Sequence, residues 1–143
     1  MLDTIKGLIK GNRICVLSTI AGDRPYCSLM RYTCDPECKE IYLVTHRNTT
    51  KYQNLMANPN VSLLIDNRDK HALARVQALT IEGCWIAIED AEKITAILGR
   101  FKACHPDLEA FVTQPEAELL RIEIQSFLLL NGLEDAHHLK VES

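Results

Sequence analysis

The sequence lacks several features that would place the protein in a class at once. No run approaches the roughly 18 uninterrupted apolar residues of a membrane-spanning helix, so we expect no membrane association. The net charge is only -3, which gives no general attraction to nucleic acid or anionic lipid. There is also no internal repeat, low-complexity segment or Pro/Gly-rich linker, and we therefore expect a single domain over residues 1–143.

The N-terminal segment also does not have the pattern of a signal peptide. The apolar residues of the opening segment are interrupted by Asp3, Lys6 and Lys10, whereas a signal peptide carries a continuous apolar stretch. We therefore expect a cytoplasmic protein, in which the six cysteines are reduced thiols.

The common catalytic and metal motifs are absent too. There is no GxGxxG or GxxxxGK[ST] loop. No HExxH motif, Ser-His-Asp order or pair of carboxylates stands out for hydrolysis. Cys34 and Cys38 flank a turn but have no second Cys/His pair, so we expect no metal site. Cys104 and His105 are expected to be ordinary half-buried residues.

The apolar residues that are present follow the spacing of strands and helices. Apolar residues make up 47% of the chain and charged residues 24%, which suits a globular core. Alternation and turn residues predict six strands and three or four helices, hence a mainly β (α+β) fold that needs closure to hide its edges. The six strands are expected at 13–20, 25–34, 41–45, 61–65, 77–88 and 118–130.

Local signals define the ends of several elements. The spacing predicts an opening helix capped by Asp3, and a second helix with a capping box from Thr50 to Gln53. A third helix is predicted to begin at Asp90 and to break before Pro106, with a short helix over 107–112. Gly83 predicts a bulge or bend in the fifth strand, and 66–75 is predicted to be a loop.

A group of phosphate-binding side chains surrounds the third strand. Thr45, Arg47, Thr50 and Lys51 lie where this strand turns into a helix, whose N-terminus offers free N–H groups and partial positive charge. Arg31 lies on the second strand, which we expect to pair with the third. Three cations would then converge on one dianion, an arrangement suited to phosphate.

At these same residues the chain is similar to the pyridoxamine-phosphate-oxidase-like family of FMN-binding split barrels. The similarity covers nearly the whole chain and is most specific over residues 15–65. It is carried, in order, by VLST at 16–19, GDRP at 22–25, SLMR at 28–31, IYLVT at 41–45, TKYQNL at 50–55 and NPNVSL at 58–63.

The resemblance implies a six-stranded antiparallel Greek-key split barrel with peripheral helices. It also implies a homodimer with flavin mononucleotide (FMN) at the subunit interface. Thr45 would contact the ring or ribityl chain, Thr50 and Lys51 would hold the phosphate, and Arg47 lies in a loop that varies within the family. The ring and ribityl chain would run along Ser28, Leu29, Met30, Arg31 and Tyr32, with Arg31 toward the phosphate and Trp85 of the partner subunit as a floor for the ring.

Two departures from the family bear on function. Residues 133–143 contain neither Trp nor Arg, whereas true pyridoxamine phosphate oxidases carry a Trp-Arg-rich C-terminal segment. In addition, Gln77 is one position out of phase with a glutamine that the family often has on the fifth strand. We therefore expect an FMN-dependent oxidoreductase acting on another small molecule. The alternatives are a non-catalytic flavin-binding module for electron transfer or sensing, and a haem-binding protein that uses His137 and His138.

Overall fold

The computed structural model describes residues 1–68, 75–132 and 134–141. Within them the chain forms eight strands, four α-helices and a 3₁₀ turn at Pro106–Leu108. The helices are α1 (Leu2–Gly11), α2 (Thr50–Ala57), α3 (Ala91–Cys104) and α4 (Glu109–Val112). The strands are β1 (Ile14–Ala21), β2 (Arg24–Arg31), β3 (Thr33–Cys34), β4 (Glu40–His46), β5 (Asn60–Asp66), β6 (Gln77–Trp85), β7 (Ala117–Asn131) and β8 (Asp135–Lys140).

All eight strands belong to one curled antiparallel sheet. Seven of them follow the order β2-β1-β5-β6-β7-β4-β3, and β8 lies off this path beside β7. Only Tyr32 separates β2 at one end of this order from β3 at the other, so the two ends are consecutive in the chain. The two end strands are thus joined by the chain, although they do not pair with each other. The predicted split barrel with peripheral helices is confirmed.

The predicted number of six strands is wrong. The expected second strand over 25–34 is divided at Tyr32 into β2, which pairs with β1, and β3, which pairs with β4. The segment that follows β7 adds β8, which pairs with the second half of β7. β8 was not predicted from the sequence because it has few apolar residues, and its other residues are charged or histidine.

The interior of the barrel is filled by the inward-facing residues of the strands. In β1 the buried residues Cys15, Leu17 and Thr19 alternate with half-buried ones, as a strand with one face in the core requires. α1 covers the barrel with a fully apolar stripe of Ile5, Leu8 and Ile9. No helix among the described residues has the length and apolar character needed to cross a bilayer.

The ends of two helices differ from the predictions by one or a few residues. Asp3 lies inside the first turn of α1 rather than capping it, and Met1 occupies the cap position. In α2 the cap is Thr49 rather than Thr50, because its hydroxyl accepts from the Tyr52 N–H. The predicted cap of α3 is confirmed: the Asp90 carboxylate accepts from two backbone N–H groups of the first turn.

The irregularity predicted around Gly83 is confirmed. The pairing of β6 with β7 shifts between Glu82, opposite Ser126, and Gly83, opposite Ile124, so that Gln125 of β7 is the extra residue of a bulge. A Cβ at position 83 would lie only 2.6 Å from the Ile122 Cγ2 atom. The predicted loop over 66–75 lies partly outside the described residues; Asp66 is the last residue of β5.

We predict that Gly83→Ala destabilises the protein because the added methyl group cannot be accommodated without moving backbone. The ideal Cβ would lie 2.7 Å from the carbonyl oxygen of Glu123, a main-chain atom of the neighbouring strand. Overpacking of this kind typically costs about 1–3 kcal/mol of unfolding free energy. Urea denaturation followed by circular dichroism measures the change.

Gly99→Ala is the matched control. Gly99 lies inside α3, and no atom comes within 4 Å of the Cβ it would gain. Alanine in a helix interior is favoured over glycine by about 0.5–1 kcal/mol, so this variant should be at least as stable as the wild type. Equal denaturation midpoints for the two variants would contradict the close approach at Gly83.

Candidate functional site

A cleft of about 200 Å³ lies between β2, the end of β4, α2 and the segment that follows α3. It brings together three of the polar residues predicted from the sequence: Arg31, Thr45 and Lys51. The rest of its wall is apolar. The full lining is Leu29, Met30, Arg31, Val44, Thr45, Lys51, Phe101, Leu108 and Phe111.

The alternation of β2 directs Arg31 and Leu29 to one side of the strand and Met30 to the other. Met30 is buried in the barrel, whereas Leu29 keeps 75% of its surface exposed. The pairing expected between the second and third strands is wrong for this part of the chain. Arg31 is opposite Ile14 of β1, and only Thr33 and Cys34 pair with β4.

Arg31 is held by the segment that follows α3. Its Nη2 lies 2.8 Å from Asp107 Oδ2 and its Nη1 lies 3.2 Å from Asp107 Oδ1, so both carboxylate oxygens accept from the guanidinium. Nη1 also lies 3.4 Å from His105 Nδ1. Because a guanidinium only donates, this contact favours the tautomer of His105 in which Nδ1 accepts and Nε2 donates, at 2.8 Å, to the Tyr32 carbonyl.

The ion pair changes the electrostatics of Asp107. Hydrogen bonding from Arg31, and then its charge, hold the pKa of the Asp107 carboxyl below its ordinary value. The Asp107 side chain is 59% exposed and that of Arg31 38% exposed, so solvent screens the pair. The contact therefore orients Arg31 more than it stabilises the fold.

Lys51 and Thr45 form the opposite wall of the cleft. Among the described residues Lys51 takes part in no ion pair. Thr45 is buried, and its hydroxyl lies 3.2 Å from the hydroxyl of Thr49, which also donates to the His46 carbonyl. The Thr49 hydroxyl is thus occupied by capping α2, while the Lys51 ammonium is available to a ligand.

Other residues predicted for the site lie away from this cleft. Arg47 donates to Glu118 Oε2 at 3.0 Å and to the Pro115 carbonyl at 2.8 Å, so its charge is used at the start of β7. Thr50 is exposed in the first turn of α2. Neither contributes to the cleft lining.

Three further predicted residues also lie outside the lining. Tyr32 is buried, and its hydroxyl donates to the Ile9 carbonyl at 2.6 Å. Trp85 is half-buried at the end of β6 and packs against the main core. Ser28 is half-buried on β2, opposite Leu17 of β1.

A larger groove of about 510 Å³ adjoins the cleft at Leu29, which lines both. The groove runs over the outer face of β1 and β5 and contains Ile14, which is 50% exposed, together with Val16 and Leu64. Its lining also includes the charged residues Arg13, Asp66 and Arg68. The two depressions together therefore offer both charged and apolar side chains.

The contribution of the segment after α3 to the cleft was not predicted from the sequence. Phe111 stacks on His46 with ring centroids 4.1 Å apart, which places it and Leu108 over the end of β4. His105 and Asp107 fix Arg31 from the same segment. The break at Pro106 was visible in the sequence, but nothing local indicated that residue 107 would meet residue 31.

The thiols and histidines do not form a metal centre in the part of the chain that the structure describes. No group of three His, Cys, Asp or Glu side chains there is placed to hold an ion. Burial raises the pKa of the Cys34 thiol to about 12, so this thiol is protonated at neutral pH and is a poor nucleophile. His137 belongs to β8 and lies 3.0 Å from Asp135.

The sequence matches the family model described as pyridoxamine 5'-phosphate oxidase over residues 1–130. No protein of curated function matches it at a significant level. The solved structures it resembles include General Stress Protein 26 from Bacillus anthracis, which is 22% identical, with a TM-score of 0.74 and coverage of 98% of both chains.

Two further structures share the fold at lower identity. A haem binding protein from Mycobacterium smegmatis is 14% identical with a TM-score of 0.85. The match covers 97% of this chain but only 57% of that protein. A FAD-binding protein from Mesorhizobium loti is 15% identical with a TM-score of 0.70, and 85% of this chain and 88% of that one are covered.

We predict that Arg31→Met raises the pKa of Asp107 toward its ordinary value, because the main group that lowers it is removed. The lowered pKa also has an effect on stability. Because the pKa of Asp107 is lower in the folded than in the unfolded protein, the ion pair contributes stability above the unfolded-state pKa. This contribution disappears as the pH falls through the folded-state pKa. The carboxyl carbon of Asp107, followed by NMR between pH 2 and pH 6 (a range of about two units either side of a model carboxyl), reports the change.

Arg47→Met is the control for this measurement. It removes an arginine whose carboxylate partner is Glu118 rather than Asp107. The Asp107 titration should then match that of the wild type. An unchanged titration in Arg31→Met would show that the ion pair does not form in solution.

Proposed function

Because the chain belongs to the pyridoxamine 5'-phosphate oxidase family, we propose that it binds FMN, with the phosphate in the cleft between Arg31 and Lys51. The observation that carries this proposal is the meeting of Arg31, Thr45 and Lys51 in one cleft, although they come from β2, β4 and α2. We further propose that the FMN protein is an oxidoreductase acting on a small molecule other than a vitamin B6 phosphate.

The residues of the cleft fit a phosphate group. The Arg31 guanidinium can donate to two oxygens and the Lys51 ammonium adds a second cation. The Thr45 hydroxyl lies in the same cleft, but its proton is donated to Thr49, whose own proton goes to the His46 carbonyl. Arg47, which the sequence placed in the same group, is engaged by Glu118 and is left out of the proposal. Thr50 precedes Lys51 in the first turn of α2 but does not line the cleft, so it is also left out.

The apolar part of the surface fits a flavin ring. Leu29 connects the cleft to the larger groove, in which Ile14 is half exposed. A ring lying there would be open to solvent on its outer side, since the chain offers apolar contacts on one side only. We therefore propose a homodimer in which the second copy covers this surface, with Trp85 of the second copy as a candidate contact.

Bound FMN would supply the hydride-transfer chemistry itself, and the protein would bind, orient and shield it. Arg31 and Lys51 would fix the phosphate and so the position of the ring. Leu29 and the partner subunit would exclude water from it. The cleft offers no side chain with an evident role in proton transfer, which is also compatible with a flavin module for electron transfer or sensing.

Haem is the second candidate ligand. The haem binding protein from Mycobacterium smegmatis shares this fold with a TM-score of 0.85. Haem also has an apolar ring and anionic groups. The iron ligands that this alternative would use are His137, which is half-buried on β8, and the exposed His138. Neither lines the cleft or the groove, so haem would bind beside β8 instead.

We predict that the double variant Arg31→Ala/Lys51→Ala loses FMN. Each charge-assisted contact to the phosphate contributes about 1.5–3 kcal/mol, so the affinity should fall by at least about a hundredfold. Fluorescence quenching of FMN on titration with protein measures the dissociation constant. Riboflavin, which lacks the phosphate, should bind the wild type and the double variant equally.

Arg47→Ala is the matched control because it removes an exposed arginine outside the cleft. Its FMN affinity should equal that of the wild type. A double variant that keeps its affinity would show that the phosphate is elsewhere. A wild type that fails to bind FMN but shifts the Soret band of added haem would transfer the proposal to haem.

We predict that the wild type sediments as a dimer and that Leu29→Glu shifts it toward monomer, because a charge would be placed in the covered surface. Leu128→Glu is the control: Leu128 is an exposed leucine on β7, 39% accessible, and lines neither depression. Sedimentation velocity distinguishes the species. A stable wild-type monomer that still holds FMN would contradict the shared site.

A further inference from the structure

Asp107 binds the guanidinium group of Arg31, which is the group that would bind the proposed phosphate. A guanidinium presents a fork of parallel N–H donors that matches two oxygens of either a carboxylate or a phosphate. In the structure Asp107 takes both positions of this fork, at 2.8 and 3.2 Å. A phosphate that binds Arg31 must therefore share the guanidinium with Asp107 or replace it.

Asp107 is held near Arg31 by the backbone of its own segment. It lies in the 3₁₀ turn Pro106–Leu108, whose Leu108 N–H donates to the His105 carbonyl at 3.0 Å. His105 is buried, packs on Phe101 and bonds through Nε2 to the Tyr32 carbonyl. The segment that carries the carboxylate is thus tied to the barrel through His105, and the ion pair separates by movement of the Arg31 or Asp107 side chain.

The charge of the cleft is set by the same residue. Arg31 and Lys51 together provide two positive charges, and Asp107 cancels one of them. A phosphate dianion entering the cleft meets a carboxylate within contact distance of the arginine that should attract it. His105 adds a further contact to Arg31 but, as an acceptor at Nδ1, no positive charge.

We propose that Asp107 is a specificity-determining residue that competes with the ligand phosphate for Arg31 and thereby lowers the preference of the cleft for dianions. The identity of the ligand rests on the proposed function, whereas the competition rests on the observed ion pair. Asp107 keeps Arg31 oriented when no anion is bound. Its removal makes the cleft more selective for a doubly charged phosphate over a neutral ligand.

Asp107→Asn tests this competition. The substitution keeps an acceptor oxygen beside Arg31 and removes the negative charge. FMN should bind about tenfold more tightly, the size expected for removing one like charge at a screened site, while the affinity for riboflavin stays within about twofold. The readout is the ratio of the FMN and riboflavin dissociation constants.

Glu118→Gln is the control for charge alone. It removes one carboxylate from the other arginine pair, that of Arg47, outside the cleft. Its FMN-to-riboflavin ratio should equal that of the wild type. Weaker FMN binding in Asp107→Asn, or an equal gain in Glu118→Gln, would overturn the proposal.

A second measurement tests the competition in the wild type. Saturation with FMN should raise the pKa of Asp107, observed through its carboxyl carbon, because Arg31 leaves it for the phosphate. Binding of inorganic phosphate, measured for the wild type and for Asp107→Asn, separates the two proposals. Tighter phosphate binding by the variant than by the wild type supports the competition even if no flavin binds. Equal phosphate affinity in wild type and variant would overturn it, and failure of FMN alone would count only against the proposed function.

Discussion

The structure depends on how the chain passes through Tyr32, the residue between β2 and β3. Its N–H donates to the Arg13 carbonyl, its carbonyl accepts from His105 Nε2, and its hydroxyl donates to the Ile9 carbonyl. All three polar groups of a buried residue are therefore paired. Because an unpaired buried group costs about 1–3 kcal/mol, this geometry is strongly favoured over alternatives that would break it.

The junction also explains where the cleft lies. Tyr32 connects the first and last members of the sheet order, so the chain passes from one end of the sheet to the other at this point. The preceding residue, Arg31, must then emerge beside the segment whose His105 bonds the Tyr32 carbonyl. Asp107 follows two residues later and meets the guanidinium. One set of hydrogen bonds around Tyr32 thus both fixes the passage between the two end strands and brings an arginine and a carboxylate together.

The two arginines predicted for the phosphate site have different roles in the structure. Arg31 and Arg47 are both exposed enough for solvent to screen their ion pairs, which therefore add little to stability. What these ion pairs determine is the position of each arginine side chain. The Glu118 contact draws Arg47 toward β7, whereas the Asp107 contact holds Arg31 at the wall of the cleft, opposite Lys51.

Much of the fold follows from short-range patterns in the sequence. The alternation within β1, the Asp90 cap of α3 and the break before Pro106 are local, since each depends on residues a few positions apart. The bulge at Gly83 was similarly visible because glycine tolerates close approach of another backbone. The capping threonine of α2 was displaced by one residue because Thr49 and Thr50 have the same chemistry.

The sequence by itself determined most of the strands in outline, the places of the helices, the family and the presence of phosphate-binding residue types near the third strand. Only the tertiary structure decided which of these residues meet. It divided the second strand at Tyr32, added β8, removed Arg47 from the group and brought in Asp107 across 76 positions of sequence. The physical reason is range: strand alternation and helix caps depend on neighbours along the chain, whereas an ion pair between distant segments exists only after the barrel has closed.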